Sequence, residues 1–148
     1  MKNLINQTFL EDGKKLITFV TGGDPDFETS KDIIKTIINN NIDIIEIGMP
    51  FSDPMADGPT IQLASNRAIK KEINLDKIFS LSKFAKNLKN NLPIILMGYY
   101  NMILHYGVKN FVTNCVKNGV DGLIVVDLQP EEDEELIENL KDSNIDLI

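Results

Sequence analysis

The sequence has few of the residue types that several classes of catalytic site require. Its 148 residues include one cysteine, Cys115, one histidine, His105, and no tryptophan. A single cysteine excludes an internal disulfide framework and fits a reducing compartment, so we expect the chain in the cytoplasm. A Ser-His-Asp or Cys-His arrangement finds no support. We interpret Cys115, on an apolar helical stripe, as a buried inert thiol and His105 as a surface or loop residue.

Positive charge and long apolar runs are also scarce. Lys plus Arg is 15 against 22 Asp plus Glu, so the formal net charge is -7. Proteins that bind nucleic acid usually carry the opposite balance or a basic stripe, and neither is present. No segment approaches the ~18 consecutive apolar residues of a membrane span, and the first residues lack the apolar run of a secretory signal. We therefore expect neither a nucleic-acid nor a membrane partner.

Four short segments are rich in β-branched and apolar residues. The apolar residues occupy both the odd and the even positions of each segment. This pattern is typical of strands in a parallel sheet whose two faces are both covered. The predicted strands are 15–21, 42–47, 93–97 and 120–127. Apolar residues at helical spacing predict helices between them, including 26–40 and 75–88. Repeated βα units indicate an α/β fold with right-handed crossovers.

Two architectures fit this order, a Rossmann or flavodoxin-type sheet and a (β/α)8 barrel. The first strand is followed by Thr21-Gly22-Gly23-Asp24-Pro25 rather than by G-x-G-x-x-G, which counts against dinucleotide binding. A barrel needs eight units and about 250 residues. The sequence supplies four units and, at 144–148, the start of a fifth strand. We expect residues 1–148 to form a single domain that is truncated.

Glu46 departs from the pattern of its strand. It lies within Asp43-Ile44-Ile45-Glu46-Ile47-Gly48, where an apolar residue would be expected. Burial removes water from a carboxylate and raises its pKa unless a partner compensates. One interpretation is a structural carboxylate paired with a lysine. The other is an acid/base group near the C-terminal end of the strand, where barrel enzymes place their active sites.

Further acidic residues follow the predicted strands. Asp24 follows the first, Asp53 and Asp57 lie in a long loop after the second, and Asp127 ends the fourth. Asp-Pro and Asp-Gly are common turn pairs, and an aspartate can cap a helix, so each acid also has a structural interpretation. Alternatively, these acids converge with Glu46 at one edge of the sheet. Glu46, Asp57 and Asp127 would then be able to ligate Mg²⁺ or Mn²⁺, although no histidine lies near them.

Residues 46–62, with the sequence EIGMPFSDPMADGPTIQ, closely resemble the signature of the tryptophan synthase alpha subunit family. Residues 19–25, 97–101 and 119–127 support the resemblance. It extends over all 148 residues but covers only a little over half of what the family needs. The resemblance implies a (β/α)8 TIM barrel, here its first four βα units and the start of strand 5. The phosphate-binding loops of the family lie after later strands.

The resemblance further implies a lyase of tryptophan biosynthesis. It cleaves indole-3-glycerol phosphate to indole and glyceraldehyde 3-phosphate without a metal or organic cofactor. Glu46 matches the acid/base that protonates the indole ring carbon and takes the glycerol hydroxyl proton. Asp57 matches the carboxylate that accepts the indole N–H and stabilises the cation. The residues implied around the indole are Phe19, Ile61, Met97, Tyr99, Ile124 and Asp127.

The implied partner is a beta subunit that receives the indole and holds pyridoxal phosphate, in an alpha2-beta2 tetramer. Asp53 and Asn101 match positions that face this partner, and Gln129 stands where the family usually has proline. One alternative is a non-catalytic fragment that at most binds the beta subunit, with open sheet edges that invite dimerisation or aggregation. Another is a different small-molecule lyase or isomerase on the same barrel.

Overall fold

The computed structural model describes residues 3–129 and 134–148. Helices and strands alternate along most of the chain. The helices are α1 (Leu4–Leu10), α2 (Phe27–Asn39), α3 (Pro59–Lys70), α4 (Leu75–Leu88), α5 (Tyr100–Tyr106), α6 (Val108–Lys117) and α7 (Glu134–Lys141). The strands are β1 (Ile17–Thr21), β2 (Ile44–Gly48), β3 (Ile94–Gly98), β4 (Gly122–Val125) and β5 (Asp146–Leu147). Within the described ranges, no helix is long and apolar enough to cross a membrane.

The five strands form one parallel sheet in the order β1-β2-β3-β4-β5. Each strand pairs with the next one in the chain, and Glu46 of β2 lies opposite Phe19 of β1 and Ile95 of β3. Because all strands run the same way, their C-terminal ends form one rim of the sheet. The loops after β1, β2, β3 and β4 meet at this rim.

Side chains alternate between the two faces of the sheet. Ile45 and Ile47 of β2 are fully buried in the main core, where the helices pack on one face. Ile44 and Glu46 point to the opposite face, where Ile5 of α1 covers Ile44. The rest of this second face forms a hollow whose lining includes Glu46. The face that carries Glu46 is therefore only partly covered by the described residues.

The predicted elements are confirmed with small shifts in their ends. Helix α4 has the predicted bounds, 75–88. Helix α2 begins one residue later and ends one residue earlier than the predicted range 26–40. Asp26 and Asn74 cap these helices by accepting hydrogen bonds from Thr29 N–H at 2.9 Å and Lys77 N–H at 3.1 Å. The fourth strand ends at Val125 rather than at Asp127, because the chain turns there.

Helix α5 is the element that the sequence pattern does not predict. It has seven residues and is separated from α6 by Gly107, whose φ of 89° breaks the helix. Ile103 is its only buried residue, so it has no apolar stripe for periodicity to detect. The described order therefore contains one helix more than the sequence indicates.

A buried ion pair joins α4 to the N-terminal ends of β3 and β4. Lys86 Nζ donates to Asp121 Oδ2 at 2.7 Å and to Leu92 O at 2.8 Å, and Ile94 N–H donates to the same Asp121 oxygen at 2.8 Å. The side chains of Lys86 and Asp121 are 13% and 11% exposed. Each charge therefore depends on its partner rather than on water.

Replacing Asp121 by Asn should leave the Lys86 ammonium without a countercharge. We expect the free energy of unfolding to fall by about 2–3 kcal/mol, measured by urea denaturation. Asp142→Asn removes the same charge from an exposed position and should change stability by less than about 0.5 kcal/mol. Equal losses in the two variants would contradict a stabilising role for this pair.

Candidate active site

Glu46 is a carboxyl group with no partner among residues 3–129 and 134–148. It is partly buried on β2, two residues before the strand ends at Gly48. Within the described part of the chain, its carboxylate has no hydrogen bond or ion pair, so the lysine-paired interpretation is wrong there. Loss of hydration raises the pKa of Glu46, as expected for a desolvated acid with no compensating charge. Such an environment is typical of carboxyl groups that act as acids or bases.

Asp57 lies in the loop 49–58, which connects β2 to α3 at the rim. The backbone of the loop makes turns, with Met55 N–H donating to Asp53 O at 2.9 Å and Asp57 N–H to Pro54 O at 3.0 Å. The turn interpretation of these aspartates is therefore correct for the main chain. The Asp57 carboxylate has a different contact, since Tyr99 O–H donates to its Oδ2 at 3.1 Å.

A cleft at the rim contains Asp57 and several of the predicted ligand-binding residues. Phe19, Ile61, Met97 and Tyr99 all line it, as does Asp57 itself. The remaining wall residues are not predicted from the sequence; they are Thr21, Gly48, Met49, Ser65, Gly98 and Val126. Ser65 lies four residues after Ile61 on α3, and residues at this spacing share one face of a helix. Helical spacing could therefore have predicted Ser65 as a wall residue.

Phe19 connects this cleft to Glu46. The Cα atoms of Phe19 and Glu46 are partners in the β1–β2 register. The Phe19 ring extends over Gly48, where an added Cβ would lie 2.7 Å from Phe19 Cζ. Gly48 therefore makes room for the ring at the end of β2. Glu46 lines the hollow and Asp57 lines the cleft, so the two acids occupy adjoining but different surroundings.

The other acids at the strand ends are held by nearby groups. The Asp24 carboxylate makes a bidentate ion pair with Arg67 of α3, with contacts of 2.7 and 2.8 Å. The Asp127 carboxylate accepts the N–H of Tyr100 at 2.7 Å and so caps α5. Ile124 lies in the hollow with Glu46. Neither Asp127 nor Ile124 lines the Asp57 cleft, and their contact with a ligand stays a prediction.

The geometry does not support the metal alternative. Among residues 3–129 and 134–148, no three Asp, Glu, His or Cys side chains are placed to hold one ion together. Glu46, Asp57 and Asp127 are therefore not brought together as a metal-ligand set. The acids at the rim instead contact amide, phenol and guanidinium groups of the protein.

Comparison with known proteins identifies the family. The family model described as tryptophan synthase alpha chain matches residues 5–148. The chain belongs to the tryptophan synthase alpha chain family. It is 46% identical over 144 residues to the alpha chain of Petrotoga mobilis, and 52% identical over 122 residues to that of Geotalea uraniireducens. These alignments cover 97% and 82% of this chain.

The solved structures give the same result for the fold. The tryptophan synthase alpha chain of Legionella pneumophila superposes with a TM-score of 0.91 at 33% identity, and the match covers 99% of this chain. The five parallel strands with their helices are thus part of a TIM barrel. The match covers 56% of the Legionella chain, and the alignment with Petrotoga mobilis covers 55% of that relative. The chain therefore spans about half the length of these relatives.

The residues predicted to face a beta subunit lie on the outside of this alpha-chain fold. Asp53 and Gln129 are exposed in loops, and Asn101 is exposed on α5. Asn101 also lines a groove with Phe51 and His105. These positions are accessible to a partner, but no contact tests them, so the interface stays a prediction.

The expectations for the two lone residues are confirmed. His105 is exposed in the last turn of α5. Cys115 is fully buried, and desolvation raises the pKa of its thiol well above the ordinary value, which disfavours the reactive thiolate. Neither residue lies in the cleft or the hollow.

The raised pKa of Glu46 has a consequence for stability. Between its ordinary pKa and the raised one, the folded chain holds a proton that the unfolded chain has released, so stability falls as pH rises. We expect Glu46→Gln to be more stable than the wild type at about pH 7.5 and equally stable at about pH 4, by urea denaturation. Glu138→Gln, at an exposed site on α7, should show no such pH-dependent gain. A gain that is identical at both pH values would contradict desolvation as its cause.

Proposed function

We propose that the chain carries the acid/base part of an alpha-chain lyase that cleaves indole-3-glycerol phosphate to indole and glyceraldehyde 3-phosphate. The observation that supports this most directly is the desolvated carboxyl of Glu46 near the C-terminal end of β2, which has no partner among the described residues. Its raised pKa suits a carboxyl group that both gives and takes a proton. The assignment of the substrate rests on the family.

In the proposed reaction, Glu46 protonates the indole ring carbon that bears the glycerol side chain. Electrons from the ring nitrogen stabilise the resulting cation, and Asp57 accepts the N–H to favour this charge. Loss of the proton from the adjacent glycerol hydroxyl to Glu46 then breaks the carbon–carbon bond. The bonding electrons return to the ring, and the products are indole and the aldehyde.

The two carboxyl groups are suited to these roles because their environments differ. Glu46 is desolvated and has no described hydrogen-bond donor, so its neutral form is favoured. Asp57 accepts a hydrogen bond from Tyr99 on a partly exposed loop. A carboxylate that remains charged can stabilise a cation, whereas one with a raised pKa can exchange a proton.

The proposal includes the partner implied by the family. We infer that a beta subunit containing pyridoxal phosphate receives the indole in an alpha2-beta2 complex, and that this chain uses no metal or organic cofactor. The exposed Asp53 and Asn101 are the residues we propose to face that subunit. A cytoplasmic location belongs to the same proposal.

The reaction is tested by indole release in two settings. The first is the 148-residue chain alone, and the second is a hybrid in which the C-terminal remainder of the Petrotoga mobilis alpha chain follows residue 148. We expect the hybrid to release indole and Glu46→Gln in the hybrid to reduce kcat by about a hundredfold or more. Glu138→Gln is the control and should keep the activity. Near wild-type turnover by Glu46→Gln would overturn the acid/base assignment.

A second candidate function is a non-catalytic chain that at most binds a beta subunit. Two observations favour it: the hollow beside Glu46 is only partly covered, and β1 and β5 are the outer strands of the described sheet. Ile17, which lines the hollow on β1, is 42% exposed. Unpaired strand edges and apolar surface favour association between copies.

Size-exclusion chromatography tests this second candidate. We expect the chain to elute as a dimer or larger species at high concentration, and Ile17→Lys to shift it toward monomer because lysine blocks edge pairing. Val116→Lys changes a residue that is 55% exposed on α6 and should leave elution unchanged. A wild-type chain that is monomeric at every concentration would contradict association through the sheet edge.

A further inference from the structure

Tyr99, directly after β3, contacts three residues of the loop 49–58. The residue is buried, with only 2% of its surface exposed. Its hydroxyl accepts the N–H of Ala56 at 3.0 Å and donates to Asp57 Oδ2 at 3.1 Å. The ring of Phe51 stacks on the Tyr99 ring, with centroids 5.2 Å apart. One side chain directly after the neighbouring strand β3 thus fixes the loop that carries Asp57.

These contacts occupy one of the two oxygens of the Asp57 carboxylate. Oδ2 accepts the phenol O–H, and no other donor in the described ranges contacts the carboxylate. The oxygen that remains for a ligand is therefore Oδ1. Desolvation, together with the nearby Asp57 charge, raises the pKa of Tyr99, so the phenol keeps its proton and continues to donate at neutral pH.

We propose that Tyr99 is a positioning residue that orients Asp57 so that Oδ1 accepts an N–H from a flat aromatic ligand in the cleft. The inference rests on the proposed function, in which this ligand is the indole ring. The single O–H of Tyr99 is already donated to Asp57, and its ring is buried and stacked on Phe51. Tyr99 therefore acts on the ligand mainly through Asp57, and contributes only packing of its own.

Comparison of indole with N-methylindole measures this contact in the 148-residue chain itself. Only indole can donate an N–H to Asp57, and the chain has no tryptophan, so the ligand's fluorescence reports binding without an indole background. We expect the wild type to prefer indole by about tenfold, the equivalent of one hydrogen bond to a charged acceptor. Asp57→Asn should reduce that preference strongly.

The decisive variants are Tyr99→Phe and Tyr106→Phe. Each removes one hydroxyl that donates to an aspartate, because Tyr106 O–H donates to Asp76 Oδ1 at 2.7 Å outside the cleft. Tyr99→Phe should lose most of the preference for indole, and Tyr106→Phe should keep it. Urea denaturation of both variants shows whether their losses of stability are similar, which separates positioning from a general loss of fold.

The outcomes distinguish this inference from the function on which it rests. Full preference for indole in Tyr99→Phe overturns the positioning role and leaves the role of Asp57 intact. A wild type without preference, or Asp57→Asn with full preference, overturns the role of Asp57 and the positioning role with it. Loss of preference in Tyr99→Phe and Asp57→Asn, but not in Tyr106→Phe, supports the proposal.

Discussion

The alternation of side chains across a parallel sheet is the constraint on which the rest of the structure depends. It sends Ile45 and Ile47 into the core beneath the helices and keeps Glu46 on the other face. A register shift by one residue would exchange these faces and place a carboxylate in the core. Because β2 pairs with β1 and β3 on both sides, this register is fixed along its whole length. The position of the proposed acid/base group therefore follows from sheet geometry rather than from local loop structure.

The two carboxyl groups of the candidate site are separated by the same geometry. Glu46 lies on a strand, and Asp57 lies in a loop held by contacts to Tyr99, which follows β3. Phe19 adjoins both, since it pairs with Glu46 and its ring covers Gly48. Distinct surroundings are what allow two acids to take different roles in one site.

The parts of this structure that the sequence predicts are those set by periodicity and by residues that depart from it. The strands of the sheet, helix 75–88 and the desolvated Glu46 all belong to this class. Helix α5 could not be predicted, because seven residues with one buried side chain leave no stripe. The contacts of Asp127 and Tyr99 were equally inaccessible, since each joins residues that are distant in the chain. The motif at 46–62 indicated which residues matter, but not that Tyr99 holds the Asp57 carboxylate.

Three acids at the rim are each held by a donor from the protein. Asp24 holds Arg67 of α3, Asp57 accepts from Tyr99 at the end of β3, and Asp127 caps α5 through Tyr100. Each contact joins a strand-end loop to a neighbouring βα unit. The carboxylates thus connect adjacent units along the rim through hydrogen bonds. These donors fix the orientation of the three carboxylates. Glu46, by contrast, has no donor among the described residues, and a carboxyl in that state can exchange protons because no described contact fixes its charge.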